Sequence, residues 1–416
     1  MTEARKRGPR RRHSDTEAHA DHGPVEPLEA IEGASADPPV WVEDASGFEA
    51  CIAELSEAGA FAFDTEFIGE HTYYPRICLV QAATAERIWL IDPLVVTDLR
   101  PFWQLVAAPS VTKIVHAGLQ DLEPVHRLLD KPPASVFDTQ IAAGFCGIRY
   151  PVSLAQLATD TIGASIGRGL KFSQWDRRPL TDKQKRYAAD DVRYLPRLYA
   201  WAIQELDQRE RRSWADEEFQ RFADPGIYRT DPTERKLKGG GASKLRLRSR
   251  AALDRLLIYR ETLAEELDRS PRELIPDQAL LEAARDRLTT TDQIASYRPI
   301  PKAVRKSYAE QIASVIREVI DGPKPEARQK PRRPDEHESE AIEAAWKRVG
   351  GWCDEHEIAL TLATSRKSVS DAALRILRSK EPRDPRLTVG WRAATVLDVI
   401  RDAVEPFRVG EGASDS

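Results

Sequence analysis

The segment Phe61-Ala-Phe-Asp-Thr-Glu-Phe67 confines two acids to a short apolar run of strand formers. On a strand, residues i and i+2 share a face, with Cα atoms roughly 6.6 Å apart. Asp64 and Glu66 therefore project together from a strand whose apolar neighbours hold it in a core. Two like charges about 4 Å apart repel by on the order of 4 kcal/mol at an effective dielectric of 20, and a divalent cation reverses that cost. The Asp-x-Glu spacing also occurs at 15/17, 121/123 and 216/218, so spacing alone is also compatible with an exposed strand edge. The apolar frame on both sides favours a functional pair.

The surrounding texture fixes the fold class. Residues 61–67, 76–82 and 87–92 are apolar runs separated by turn material such as Tyr74-Pro75-Arg76, which predicts a meander of three strands. A helix is expected near 98–107, then a strand at 112–117 and a helix over 118–130. Residues 153–163 and 181–206 also have helical periodicity, with Pro196 expected to kink the second. Strands followed by alternating helices indicate a mixed α/β domain over about 37–206.

Residues 1–36 read as a disordered tail. Its first twelve residues set Arg5, Lys6, Arg7, Arg10, Arg11 and Arg12 against Glu3, and acids follow. Few large apolar residues interrupt it, so little offsets the entropy of ordering. A charged segment over 207–250 ends in a basic linker, with Arg235, Lys236, Lys238, Lys244, Arg246, Arg248 and Arg250 around Gly239-Gly240-Gly241. Residues 251–321 and 337–410 are helical by spacing, joined by a Pro-rich linker at 322–336. The basic linker either holds phosphates or is solvated.

The formal charge is −5, from 62 Lys and Arg against 67 Asp and Glu, which gives no general attraction for a polyanion and leaves local distribution to decide. Nothing approaches the roughly 18 consecutive apolar residues of a membrane span. The basic N-terminus lacks the apolar stretch of a secretory signal. Cys51, Cys78, Cys146 and Cys353 are far apart, so neither a zinc ribbon nor a disulfide framework is indicated. A reducing cytoplasm is the expected compartment.

Two further elements carry chemistry. Tyr187 and Asp191 stand at i and i+4 of a predicted helix and share a face, whereas the adjacent Asp190 points about 100° away. Asp121 follows a strand-to-helix turn, where an acid also suits the helix dipole. Asp64, Glu66, Asp121 and Asp191 with Tyr187 resemble the DEDDy family of 3′–5′ exonucleases. The segment 173–195 (SQWDRRPLTDKQKRYAADDVRYL) and Phe137-Asp-Thr-Gln-Ile-Ala-Ala143 resemble the ribonuclease D branch of that family. Residues 256–284 resemble an HRDC domain, and 362–377 with Gly390-Trp391-Arg392 resemble the second, divergent HRDC-like module of that branch.

The resemblance implies an α/β ribonuclease-H-like exonuclease domain followed by two small all-α HRDC-type helical domains. It implies 3′–5′ hydrolysis of RNA to nucleoside 5′-monophosphates with two divalent ions, Mg²⁺ or Mn²⁺. Asp64 would bridge both ions, Glu66 and Asp191 would complete the first site, and Asp121 would support the second. Tyr187, with an ordinary pKa near 10, would orient the attacking water and not act as a base. The implied partner is an RNA 3′ end such as a tRNA precursor, met by a monomer. Lys171, Arg177 and Arg178 are expected to contact the nucleic-acid backbone, and His116 to be a structural hydrogen-bonding residue. The catalytic residues do not distinguish RNA from DNA, so a repair exonuclease is one alternative. A nucleic-acid-binding protein without activity is the other.

Overall fold

The computed structural model describes residues 34–167, 174–229, 231–237, 240–326 and 332–408. The strands are β1 (Val40–Val42), β2 (Ala60–Ile68), β3 (Arg76–Ala83), β4 (Ile88–Ile91), β5 (Thr112–Val115) and β6 (Val136–Asp138). They form one sheet in the order β1-β4-β3-β2-β5-β6. The predicted meander is the antiparallel centre, β2 with β3 and β3 with β4. β1 pairs parallel with β4, β5 with β2, and β6 with β5. The three-residue β1 and β6 escape a sequence reading because three residues show no periodicity, and only distant partners define them.

The helices of the sheet domain are α1 (Ala45–Glu57), α2 (Arg100–Ala107), α3 (Leu119–Leu129), α4 (Thr139–Phe145), α5 (Leu154–Ile162), α6 (Asp182–Arg193), α7 (Leu195–Gln208) and α8 (Arg212–Gln220). Alternation along the strands sorts the two faces of the sheet. Phe61, Phe63, Val80 and Ala82 pack with Phe48 of α1 and with Phe102 and Trp103 of α2. Ala62 and Ala83 pack with Ala189 and Val192 of α6 and with Leu198 of α7. The expected single kinked helix over 181–206 is two helices meeting at Tyr194. Pro196 lies in the first turn of α7, where its missing N–H leaves no bond unmade.

Beyond the sheet come α9 (Leu247–Glu266), α10 (Pro271–Leu274), α11 (Asp277–Asp286), α12 (Thr291–Ser296) and α13 (Lys302–Asp321). They enclose their own core of Leu253, Leu256, Ile275, Leu280, Ile312 and Ile316. Leu237, Ala242 and Leu245, in the basic segment expected to be a linker, pack against that core. Arg235 pairs with Glu261, Arg250 with Asp254, and Arg248 donates to the carbonyls of Val319, Ile320 and Gly322. These three cations serve the bundle and do not form a solvated linker; Lys238 and Gly239 lie outside the described residues.

The chain ends in α14 (Glu336–Glu355), α15 (Leu360–Ala363), α16 (Arg366–Leu377), α17 (Pro385–Thr388), α18 (Gly390–Ala393) and α19 (Val396–Val404). Their apolar residues, among them Val349, Leu362, Trp391 and Ile400, belong to one continuous core with the sheet domain. At the seam Trp391 lies edge-on to Phe145 and stacks on Trp214. A Cβ on Gly144 would come within 2.7 Å of the Leu362 side chain, so close approach requires glycine there. The tail expected over 1–36 lies almost wholly outside the described residues.

Candidate active site

β2 brings Asp64 and Glu66 to the face covered by α6, with Asp64 opposite Gln81 and Glu66 opposite Leu79 in the ladder. A register shift between Glu66 and Phe67 ends the regular pairing just past the second acid. α6 is started by a capping box, Thr181 with Gln184, which fixes its first turn and hence the rotation of the residues that follow. Tyr187 and Asp191 share the face turned to β2, and the Tyr187 hydroxyl donates to the Asp191 carboxylate. Trp175 packs against the Tyr187 ring at 6.1 Å between centroids. Asp190, one residue away, is drawn off to Arg193 at 3.0 Å.

One oxygen each from Asp64, Glu66 and Asp191 lies within 4.8 Å of the others. Asp121 stands beside this group, 7% exposed, with one oxygen taken by the Thr65 N–H at 3.1 Å and by the Thr65 hydroxyl. Its position is set by Asp138, a buried residue that sequence reasoning passed over. Asp138 accepts from the N–H groups of Ala117 and Gly118, which form the turn into α3, and from Gln140 and Ile141 at the start of α4. Ala117 has φ of 58°, and a Cβ on Gly118 would meet Val115 at 2.5 Å. Only a tight turn fits there, and Asp138 satisfies its donors. The signal available was the Phe137-Asp-Thr-Gln run, in which an acid directly precedes a helix.

Burial first, and then the like charges of Asp121, Asp191 and Glu66, push Asp64 well above the usual carboxylate range. Burial, with Asp191 and Asp121, raises Glu66 to about 8. Burial raises Asp191 to about 7 against the opposing hydrogen bond from Tyr187. A cluster that crowds acids until they hold protons at neutral pH is matched to a cation. The donors are all hard carboxylate oxygens, which fit a divalent ion of the Mg²⁺ or Mn²⁺ type. Tyr187 is pushed well up by burial and then by the charges of Asp191, Glu66 and Asp64, so it remains a donor. Tyr187→Phe is expected to lower kcat by about 100-fold through lost orientation, with KM for RNA unchanged, as steady-state kinetics would show.

The raised acids also set a pH dependence. Glu66 titrates near 8 in the fold and Asp191 near 7, whereas unfolded carboxylates titrate near 4. Between those values the folded state holds more protons than the unfolded chain, so stability falls as pH rises. In EDTA the melting temperature is expected to decline from pH 5 to pH 8 and to be restored by Mg²⁺. A flat melting profile across that window would count against the raised acids.

The remaining expected contacts divide. Arg178 does not face nucleic acid. Its Nε and one terminal nitrogen grip Asp92 at 2.5 and 2.7 Å, and its other bonds go to the carbonyls of Trp175, Arg177 and Cys78. A guanidinium with its donors so engaged has none left for phosphate. It ties the segment before α6 to the sheet, through a partner 86 residues away. Arg177 is exposed, and Lys171 lies outside the described residues. His116 bridges the Thr139 hydroxyl and the Val152 carbonyl, each at 3.0 Å, a structural arrangement. His71 pairs with Glu273 of α10 at 2.8 Å.

Residues 39–206 match the family model for a 3′–5′ exonuclease, and residues 249–316 match that for an HRDC domain. Ribonuclease D of Gluconacetobacter diazotrophicus is 30% identical over 368 residues, 86% of this chain and 91% of that protein. Ribonuclease D of Granulibacter bethesdensis is 31% identical over 362 residues, 85% and 89% of the two chains. The crystal structure of Escherichia coli RNase D has the same fold, with a TM-score of 0.74 at 24% identity, covering 88% of this chain and 99% of that one. Among the described residues no helix is long and apolar enough to cross a membrane. With an acid cluster on the sheet, a helical module behind it and identity of this extent over most of both chains, the protein belongs to the ribonuclease D family of 3′–5′ exoribonucleases.

Proposed function

We propose that Asp64, Glu66, Asp121, Asp191 and Tyr187 form the active site, and that it removes nucleotides from RNA 3′ ends such as those of tRNA precursors. The observation that carries this reading is the group of Asp64, Glu66 and Asp191 oxygens within 4.8 Å of one another beside the Tyr187 hydroxyl. Asp64, Glu66 and Asp191 would hold one divalent ion, with Asp64 and Asp121 supporting a second. Bound Mg²⁺ or Mn²⁺ supplies Lewis acidity for the scissile phosphate and lowers the pKa of a water. Asp191 accepts the Tyr187 proton bond and so aims the phenol at the site. Thr65 holds Asp121 by one oxygen, through both its N–H and its hydroxyl. Arg177, exposed ahead of α6, would meet the phosphate backbone. The protein acts as a cytoplasmic monomer, with the C-terminal helices serving as a second HRDC-like module.

The test uses 5′-labelled RNA and DNA of one sequence with Mg²⁺, Mn²⁺ or EDTA. The expected result is a ladder of shortened RNA that disappears in EDTA. Equal or faster shortening of the DNA would overturn the assignment to RNA.

A further inference from the structure

Gln81 occupies the ladder position directly opposite Asp64. Paired residues of an antiparallel ladder leave the sheet on the same face with Cβ atoms about 4.5–5.5 Å apart. On its other side Gln81 is paired with Leu90, and Leu79 and Ala83 flank it along β3 on that same face. α6 closes over this face with Ala188 and Ala189. Gln81 is 0% exposed, and neither its amide nitrogen nor its amide oxygen has a hydrogen-bond partner. A buried primary amide with every bond unmade is among the costlier things a core can hold, and a Met or Leu would fill the same space without that cost. The residues directly paired with Gln81 or flanking it are apolar apart from Asp64, with Glu66 on the diagonal opposite Leu79. An amide also adds no charge: a Lys or Arg here would compete with a cation, and another acid would add to the repulsion among Asp64, Glu66, Asp121 and Asp191.

We propose that Gln81 is a positioning residue for Asp64, donating its side-chain N–H to a carboxylate oxygen of Asp64 when that carboxylate engages divalent ions. The amide thereby selects which oxygen faces the ions. This inference rests on the proposed metal site.

The test compares the full-length protein with Gln81→Met, which keeps length and removes the amide. Mn²⁺ binding is followed by electron paramagnetic resonance without nucleic acid, alongside thermal melting and kinetics. Gln81→Met is expected to melt at the same temperature or higher, to bind Mn²⁺ about 10–100-fold more weakly, and to lose kcat with KM for RNA unchanged. Mn²⁺ affinity within about twofold of wild type overturns the role of Gln81 while leaving the metal site standing. Absence of Mn²⁺ binding by the wild type overturns both. Should Gln81→Met fail to fold, hydrogen exchange of the Gln81 side-chain amide in the wild type decides. Exchange that slows about tenfold or more on saturation with Mg²⁺ supports the contact, and unchanged exchange overturns it.

Discussion

Asp64→Asn is expected to abolish hydrolysis while leaving the fold intact. Asp64 lies in the middle of the cluster, with Asp121, Asp191 and Glu66 all close enough to raise its carboxyl. Asn has the same shape and can hydrogen-bond, but it lacks the charge that would draw two cations together. Loss of several kcal/mol of charge stabilisation corresponds to a fall in kcat of about 1,000-fold or more. The structural consequence runs the other way. Removing one of several crowded acids relieves repulsion, so the metal-free variant melts at the same temperature as wild type or higher. Mg²⁺ should then no longer raise its melting temperature. Full activity in Asp64→Asn would remove the basis for the two-ion assignment.

The second large effect lies far from the chemistry. Glu218 of α8 is 5% exposed and receives the Arg392 guanidinium, which is itself 4% exposed. Arg221 at 3.1 Å, Arg386 at 3.5 Å and the Trp391 indole N–H at 3.3 Å complete its surroundings. Arg392 also donates to the carbonyls of Ala363 and Leu362 within its own C-terminal helices, so it is the pair with Glu218 that crosses to the sheet domain. Glu218→Ala would leave a buried cation without its counter-charge, a loss of about 3–5 kcal/mol. The expected result is early unfolding of α14 to α19, seen as protease cleavage within 336–404 at temperatures where the wild type resists. Cleavage indistinguishable from wild type would show that Glu218 does not hold the seam.

Local spacing made much of this site legible. The i, i+2 acids of β2 and the i, i+4 pair of α6 need only strand and helix geometry, and both elements form where the sequence places them. Partnerships across the chain were not legible. Arg178 sits in a basic run and reads as a phosphate contact until Asp92 is seen beside it. Thr65 gives no hint in sequence that it will hold Asp121, 56 residues on. The amphipathic pattern of α14 to α19 shows that a face is buried but not against what, and the answer is the sheet domain's own core.

The two helical modules are attached by different chemistry. The first meets the sheet domain at the loop after β2, through His71 with Glu273, Tyr73 and Tyr74 with Glu261, Glu265 and Asp268, and the His71 carbonyl with the Ser270 N–H. Much of that contact is exposed and made to carboxylates, and interactions with exposed charges weaken as ionic strength rises. The C-terminal seam is built on a shared apolar core, which tightens in the presence of excluded salts, around the buried Glu218–Arg392 pair, which salt screens little. A concentrated sulfate buffer therefore acts on the two attachments in opposite directions. Salt loosens the first joint more than the second, and the loosened joint opens a few residues beyond Glu66.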